Sequence, residues 1–385
     1  MWPARLVAGG ALAAFAVAIL VTATALPGSR TSAEHTGAQR REAPQKNAAV
    51  PGGPAPDGGG VSIAWVGDIT PGSVHGLPPR DGRVLFSHVR GPLRTPDLTI
   101  GNLEGTLSVG GASKCGRPSP ACFAFQAPPQ NARALRWAGF DVMNLANNHA
   151  FDFGATGQEQ TIAALRRTGV GHTGRPGQIT VVRRRGIRIA LVGFAAYPWA
   201  ASITDLPAAR ALVARAGRRA EVVIALVHAG AEGADRTHTP EGPEVAFGEN
   251  RGDTRAFAHA VVDAGADLVL GSGPHVVRGV ERYRRRLIAY SLGNFAGWHN
   301  FGGGGALSLS GILRVTVGAD GMASSGRWLP LRLTGPGVPQ PDRTGASLQL
   351  AAQLSREDFG SGAGLRPDGR IVRRSPVTEI ARRPG

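Results

Sequence analysis

Cysteine and lysine are almost missing from this 385-residue chain: Cys115 and Cys122 are the only cysteines, and Lys46 and Lys114 the only lysines among 43 basic residues. Two cysteines with no histidine nearby cannot complete the ligand set of a structural zinc site. The GRPSPA segment between them is a loop able to bring them together. A disulfide formed outside the cytoplasm is therefore expected, with a pair of unpaired loop thiols as the alternative. The near absence of lysine makes the formal charge of +16 an arginine charge, scattered through RRRGIR, RYRRR and the tail. Such scatter reads first as the composition of a GC-rich genome and second as a basic surface attracting an anionic polymer, a membrane or nucleic acid. No RNP-like sequence, zinc-finger spacing or helix-turn-helix signal supports nucleic acid. No GxSxG elbow supports a serine hydrolase, and no internal repeat is visible.

One long, mostly apolar run stands at the N-terminus. Met1 to Arg5 is followed by an uninterrupted uncharged stretch from Leu6 to Pro27. That length suffices to cross a bilayer, which takes about 20 residues, and exceeds the roughly 7–15 of a signal-peptide core. A membrane anchor over residues 1–27 is the expectation; a cleaved signal is the competing reading, because Ala23-Thr24-Ala25 offers an A-x-A site. Arg30, Arg40 and Arg41 beyond the span leave its orientation open. Either reading exports the remainder, either membrane-anchored on the extracytoplasmic side or secreted. Residues 28–60, ending in PGGPAPDGGG, lack an apolar period and read as a disordered linker.

From Val61 onward, strand-like apolar runs alternate with helical segments: NARALRWAG, GQEQTIAALRRTG, AARALVARAG and TRAFAHAVVDAG, which stop at Gly139, Gly169, Gly217 and Gly265. Strand–helix alternation predicts βαβ units around a largely parallel sheet, an α/β fold. After LIAYSLGNF the runs ALSLSGILRVTV and WLPLRLTG follow one another without a helix, as a strand meander forming a second sheet or an edge. The expected organisation is one domain over 61–335, then an Arg-, Pro- and Gly-rich extension over 336–385 that wraps the surface or frays.

Within that domain five apolar runs end in a residue that binds metals or shuttles protons: VSIAWVGD at Asp68, DLTIGNLE at Glu104, DVMNLANNH at Asn148 and His149, VVIALVH at His228, and DLVLGSGPH at His275. Open α/β sheets place their chemistry just beyond the carboxyl ends of parallel strands, so the five ends predict one site. Oxygen and imidazole donors without thiolates suit a divalent cation, with Mn, Fe or Zn favoured over Mg by the histidines.

The ordered motifs GDIT, NLEGTLS, FAFQAPPQNARALRWAGFDVMNLANNHAFDFG, HAGAE, GSGPHVVRGVE and YSLGNF resemble those of the bacterial CapA, or poly-γ-glutamate capsule biosynthesis, family across Val61 to Leu333. That family resembles the calcineurin-like metallophosphoesterases. The resemblance therefore implies an αββα sandwich with two metals at the strand ends, in an exported envelope protein working with an anionic polymer and with capsule-assembly partners.

On this reading Asp68 is a first-metal ligand and Glu104 the bridging carboxylate, since two close cations need a shared anion. Asn102 lies one pleat back in support. Asn148 supplies an amide oxygen and His149 protonates the leaving group, as in the Asn-His pair of metallophosphoesterases. Asp152 either orients His149 or caps a helix, and His228 and His275 complete the ligands. Glu232 reads equally as outer support or surface charge, and Asn294 reaches the site edge. Two departures are evident. Ser272 stands where the family usually has a histidine, and no histidine follows Asp68 by two residues. The chain thus reads as a metal-dependent hydrolase of a phosphoester or related anionic substrate, with a non-catalytic polymer-binding or export factor as the alternative. Substrate choice is assigned to the loops Ala196 to Leu206 and Trp298 to Gly305.

Overall fold

The computed structural model describes residues 59–73, 76–116, 122–301, 304–360 and 362–372. The expected anchor at 1–27 and nearly all of the linker lie outside the described residues. Among the described residues no helix is long and apolar enough to cross a membrane.

The continuous apolar runs become strands buried on both faces. In the first sheet β1 (Val61–Thr70), β2 (Leu98–Leu103), β5 (Val142–Asn144) and β6 (Gly171–Thr173) run parallel in that order. The meander predicted near the C-terminus joins this sheet as an edge: β17 (Leu309–Val317) lies antiparallel to β1, followed by β18 (Ala323–Thr334) and β19 (Val338–Pro341). The short β16 (Asn294–Gly297) pairs with the carboxyl end of β1, and β20 (Arg370–Ile371) with β18.

The second sheet has β8 (Ile187–Ala195), β10 (Val222–His228), β13 (Leu268–Ser272) and β15 (Arg286–Ala289) parallel. β7 (Thr180–Arg184) and β14 (Val280–Tyr283) form its antiparallel edges, and β9 (Ala201–Ser202) pairs with β8. Two small pairs, β3 (Thr106–Leu107) with β4 (Gln126–Ala127) and the hairpin of β11 (Glu244–Ala246) and β12 (Glu249–Gly252), sit in the loops.

Side-chain parity sorts the core into three layers. Ile63, Trp65 and Ile100 from the first sheet meet Leu191, Ile224, Leu226 and Leu268 from the second, and Trp65 Nε1 donates across the gap to the Gly271 carbonyl at 3.1 Å. The opposite face of the first sheet is covered by α1 (Arg90–Arg94), α2 (Ala132–Ala138) and α3 (Gly154–Arg167), through Leu93, Leu135, Ile162 and Leu165. The outer face of the second is covered by α4 (Leu206–Gly217) and α5 (Thr254–Asp263), through Leu212, Val213, Phe257 and Val261. The layers are helix, sheet, sheet, helix.

Residues 336–372 differ from the expected loose extension. β19 and β20 extend the first sheet, and α6 (Ala346–Phe359) buries Leu348 and Ala351 in the inter-sheet core together with Ile371. The apolar residues are sparse among Arg, Pro and Gly, but they are spaced to close an open edge of that core. Residues 373–385 lie outside the described residues.

One irregularity positions the site. In β1, Ile63 and Trp65 face the second sheet while Ala64 and Val66 face the helices, so strict alternation would send Asp68 toward the helices. The β1–β2 register shifts between Trp65 and Asp68, a bulge that re-aims the aspartate to the inter-sheet face. Gly67 makes this packing feasible, because a Cβ there would lie 1.8 Å from the Gly293 carbonyl oxygen. Gly67→Ala is expected to cost at least the ~1–3 kcal/mol of an overpacked core. Thermal unfolding checks this; an unchanged melting temperature would mean that the strand accommodates a methyl group.

Candidate metal centre and cleft

Both sheets end at the same edge, and there the predicted residues meet. Asp68 lies two residues before the end of β1, Glu104 follows β2, Asn148 and His149 lie in the turn after β5, His228 ends β10, and His275 follows β13. Parity places Asn102, His228 and Ser272 on the inter-sheet face, in register with Ile100, Leu226 and Leu270. His275 adopts φ +62°, a left-handed conformation that costs a branched or bulky residue of order 1 kcal/mol and is concentrated at functional positions.

Glu104 is the hub. Its Oε1 lies 3.6 Å from His275 Nε2, 3.7 Å from His228 Nε2 and 4.0 Å from His149 Nε2. Asp68 lies beside the two imidazoles, with Oδ2 3.1 Å from His275 Nδ1 and Oδ1 3.5 Å from His228 Nδ1. Asn102 Nδ2 donates to Asp68 Oδ1 at 2.8 Å, and the Asn102 carbonyl oxygen accepts from Asn144 and Asn147, so an amide network braces the donor cluster from below. Asn294 Oδ1 lies 2.9 Å from His275 Nδ1. Ser272 Oγ lies 3.3 Å from His228 Nδ1, the nitrogen turned away from Glu104 Oε1.

Four buried atoms in this cluster have no hydrogen-bond partner: both carboxylate oxygens of Glu104, Asn148 Oδ1 and His228 Nε2. Buried polar atoms are rarely left unpaired, and these are oxygen and imidazole donors, His228 Nε2 lying 3.7 Å from Glu104 Oε1. Ligand atoms of Asp68, Glu104 and His275 all lie within 4.8 Å of one another. The donor set fits a divalent cation. Electrostatics agree with that fit. Burial pushes Asp68 upward, but hydrogen bonds and charge from His228 and His275 outweigh it and hold the carboxyl far below its usual range. Glu104 is pushed well above its usual value by burial, with Asp68, Glu232 and Asp152 adding repulsion against His275. His275 is held well above the ordinary imidazole value because Glu104, Asp68 and Glu232 outweigh its burial. A buried carboxylate cluster needs positive charge among it.

His149 stands beside this centre. Its Nδ1 lies 2.8 Å from Asp152 Oδ2, which leaves Nε2 directed at the cleft. Asp152 also accepts from the Phe125 amide at 2.6 Å and pairs with Lys114 Nζ at 2.7 Å. The capping alternative for Asp152 is not realised: α3 has Phe153 as its N-cap, without a side-chain cap. Burial lowers the His149 pKa, Asp152 opposes this, and Lys114 adds to it.

Glu232 is turned inward rather than lying on the surface. Its Oε1 meets Arg251 Nη1 at 2.6 Å and Asn148 Nδ2 at 3.4 Å, while Oε2 lies 3.6 Å from His275 Nε2. Burial raises its pKa, but His275 and Arg251 outweigh this and bring it to about 2.

The cleft above, about 220 Å³, is lined by Phe123, Phe125 and Phe301 together with His299 and Asn300. Of the two loops assigned to substrate choice, the Trp298 to Gly305 stretch reaches this lining; from the other, Trp199 Nε1 donates to the Asn147 carbonyl at 2.8 Å and so steadies the Asn-His turn. Cys115 and Cys122 form a disulfide with a Cα separation of 5.7 Å, directly beside Lys114. Lys114, Asn147 and Arg251 were not singled out as site residues by sequence reasoning. Lys114 had a signal, as one of two lysines, and Asn147 lies inside NNH, but nothing local marks Arg251 among so many arginines.

The chain matches the family described as bacterial capsule synthesis protein PGA_cap over residues 62–297. It is similar to the capsule biosynthesis protein CapA of Bacillus anthracis, 29% identical over 263 residues, covering 62% of this chain and 61% of that protein. It is also similar to a probable polyglutamine synthesis accessory protein of Mycobacterium tuberculosis, 31% identical over 307 residues, covering 71% and 76%. The chain thus spans about three-fifths of the length of the Bacillus relative. Among solved structures, a 5'-nucleotidase precursor from Thermus thermophilus aligns with TM-score 0.41 and 14% identity over 76% of this chain and 58% of that one, a likeness too distant to decide fold or chemistry.

Proposed function

This chain belongs to the bacterial capsule synthesis family, and we propose that it is an exported, metal-dependent hydrolase acting on a phosphoester or related anionic substrate during capsule or envelope polymer synthesis. The observation that carries this reading is the group of unpartnered, buried donor atoms of Glu104, Asn148 and His228 beside a histidine whose far nitrogen is fixed by a carboxylate. The curated relatives' names add the context of polyglutamate capsules, hence an anionic polymer and capsule-assembly partners. Export is supported by the Cys115–Cys122 disulfide and by the uncharged stretch from Leu6 to Pro27, read as a membrane anchor.

Asp68, Glu104, Asn148, His228 and His275 would hold the cations, which the reading takes to be two. Bound there, a divalent cation supplies Lewis-acid charge stabilisation and a nucleophile at neutral pH. The chain's own residues supply the rest. Asp152 fixes the ring of His149, so that Nε2 can deliver a proton to the departing oxygen. Lys114 offsets the charge of Asp152, 2.7 Å away, and its Nζ also lies 3.3 Å from His149 Nδ1. Phe123, Phe125 and Phe301 narrow the opening and limit water. A second reading, an anionic-polymer binding or export factor without turnover, is favoured by Ser272 in place of the expected histidine.

Elemental analysis of the purified chain before and after chelation, with Asp68→Ala and His228→Ala beside it, separates the readings. Bound transition metal that both variants lose, with chelator-sensitive phosphoester cleavage, is the expected result. A chain that neither carries nor takes up metal would eliminate the hydrolase and leave the polymer-binding role.

A further inference from the structure

We infer that Glu232 is itself a cation ligand, giving the second cation position the donor that serine at position 272 does not provide. The inference rests on the metal-dependent reading above and deepens it. Glu232 lies four residues after His228, in the loop leaving β10. Its two oxygens have different surroundings: Oε1 is tied to Arg251 at 2.6 Å and to the Asn148 amide at 3.4 Å, whereas Oε2 faces His275 Nε2 at 3.6 Å on the cleft side. A carboxylate oriented through one oxygen by an outer partner, with the other turned to an imidazole cluster, is the usual form of a metal-binding carboxylate. The outer partner is itself built in. Arg251, whose side chain is 5% exposed, also pairs with Glu249 at 3.2 Å, and Glu249 accepts from the Tyr197 hydroxyl at 2.7 Å.

Asn148 links Glu232 to the proposed ligands: its amide nitrogen donates to Glu232 while its oxygen is buried and unpartnered. Ser272 contributes differently. Its hydroxyl meets His228 Nδ1 at 3.3 Å, bracing that ring so that Nε2 points to Glu104, and a hydroxyl is a poor ligand for borderline metals. Exchanging an imidazole for a carboxylate hardens the donor set. It becomes Asp68, Glu104 and Glu232 with two imidazoles and one amide oxygen, a shift toward Mn(II) relative to Zn(II).

The test is titration of the metal-stripped full chain with Mn(II) by calorimetry and by electron paramagnetic resonance, comparing the parent, Glu232→Gln, Glu232→Asp and, as a control, Glu241→Gln, whose carboxylate is 84% exposed. Expected are two Mn(II) per chain with a spin-coupled spectrum for the parent and the control. Glu232→Gln should keep one Mn(II), give a mononuclear spectrum and bind the second at least about 100-fold more weakly. Glu232→Asp, which retains the charge at shorter reach, should show a smaller loss, and it answers the question if the glutamine form fails to fold. Two undiminished sites in the Glu232 variants would overturn the inference and leave the hydrolase standing, with Glu232 only the partner of Arg251. A single site in the parent would also overturn it, and no Mn(II) binding in the parent would overturn both readings.

Discussion

Replacing His149 with alanine should lower phosphoester turnover by about 10²–10⁴-fold, the span typical of a lost general acid, and leave metal content unchanged. The two halves of this expectation come from different atoms. Nδ1 is committed to Asp152 at 2.8 Å, so only Nε2 is free to act, and it lies 4.0 Å from Glu104 Oε1 at the border of the donor cluster. A proton donor matters most when the departing oxygen is basic. The loss should therefore be large with an alkyl phosphate and much smaller with a nitrophenyl phosphate, whose leaving group departs unaided. Asp152→Asn should show the same dependence on leaving group with a smaller amplitude, because it disturbs the tautomer and aim of His149 rather than removing the ring. Steady-state kinetics with both substrates, beside elemental analysis, checks the expectation. Equal losses on the two substrates would remove the proton-donor role, and a parallel loss of metal would make His149 a ligand.

Glu104→Gln should abolish cation-dependent stabilisation without weakening the metal-free protein. Glu104 is fully buried, neither oxygen has a hydrogen-bond partner, and burial together with Asp68, Glu232 and Asp152 disfavours its charge by more than His275 favours it. In the metal-free state a neutral residue of the same shape therefore removes an unfavourable charge and costs little. With metal the balance reverses. A cation at about 1,000 times its dissociation constant stabilises the native state by about 4 kcal/mol, and that increment is expected to require the carboxylate proposed to bridge the cations. Thermal unfolding with and without Mn(II) or Zn(II) reads both halves: the parent melting temperature should rise with metal, and that of the variant should start no lower and stay flat. A variant that still rises with metal would show that Glu104 does not bridge the cations.

Much of the site was legible because it follows a local rule. An apolar run buried on both faces must be a parallel or central strand, and its last residue is delivered to the edge where ligands bind. Asp68, Glu104, Asn148, His149, His228 and His275 could be read in that way, and the structure brings all six together. What escaped depends on distant partners. Arg251 is one arginine among many until β11 and β12 fold it against Glu232, and Lys114, next to the Cys115–Cys122 disulfide, meets Asp152 only in the folded chain. The C-terminal segment escaped for a related reason: its few apolar residues have no period of their own and matter only because the inter-sheet core has an edge for α6 to cover.

Periodicity and short ordered motifs, both local properties of the chain, were enough for the strand-and-helix alternation, the five apolar runs that lead to a donor residue and the family. Where those donors point was settled by packing between the sheets. Counting alternate residues along β1 sends Asp68 to the helix side, and only the bulge at Gly67, set by the close approach of the Gly293 backbone, turns it toward His228 and His275. Packing also turns Glu232 inward, because the second sheet brings His275 to it and the hairpin of β11 and β12 brings Arg251. Spacing along a chain predicts a face only while the register is unbroken, and this site is built across two sheets at the place where one register breaks.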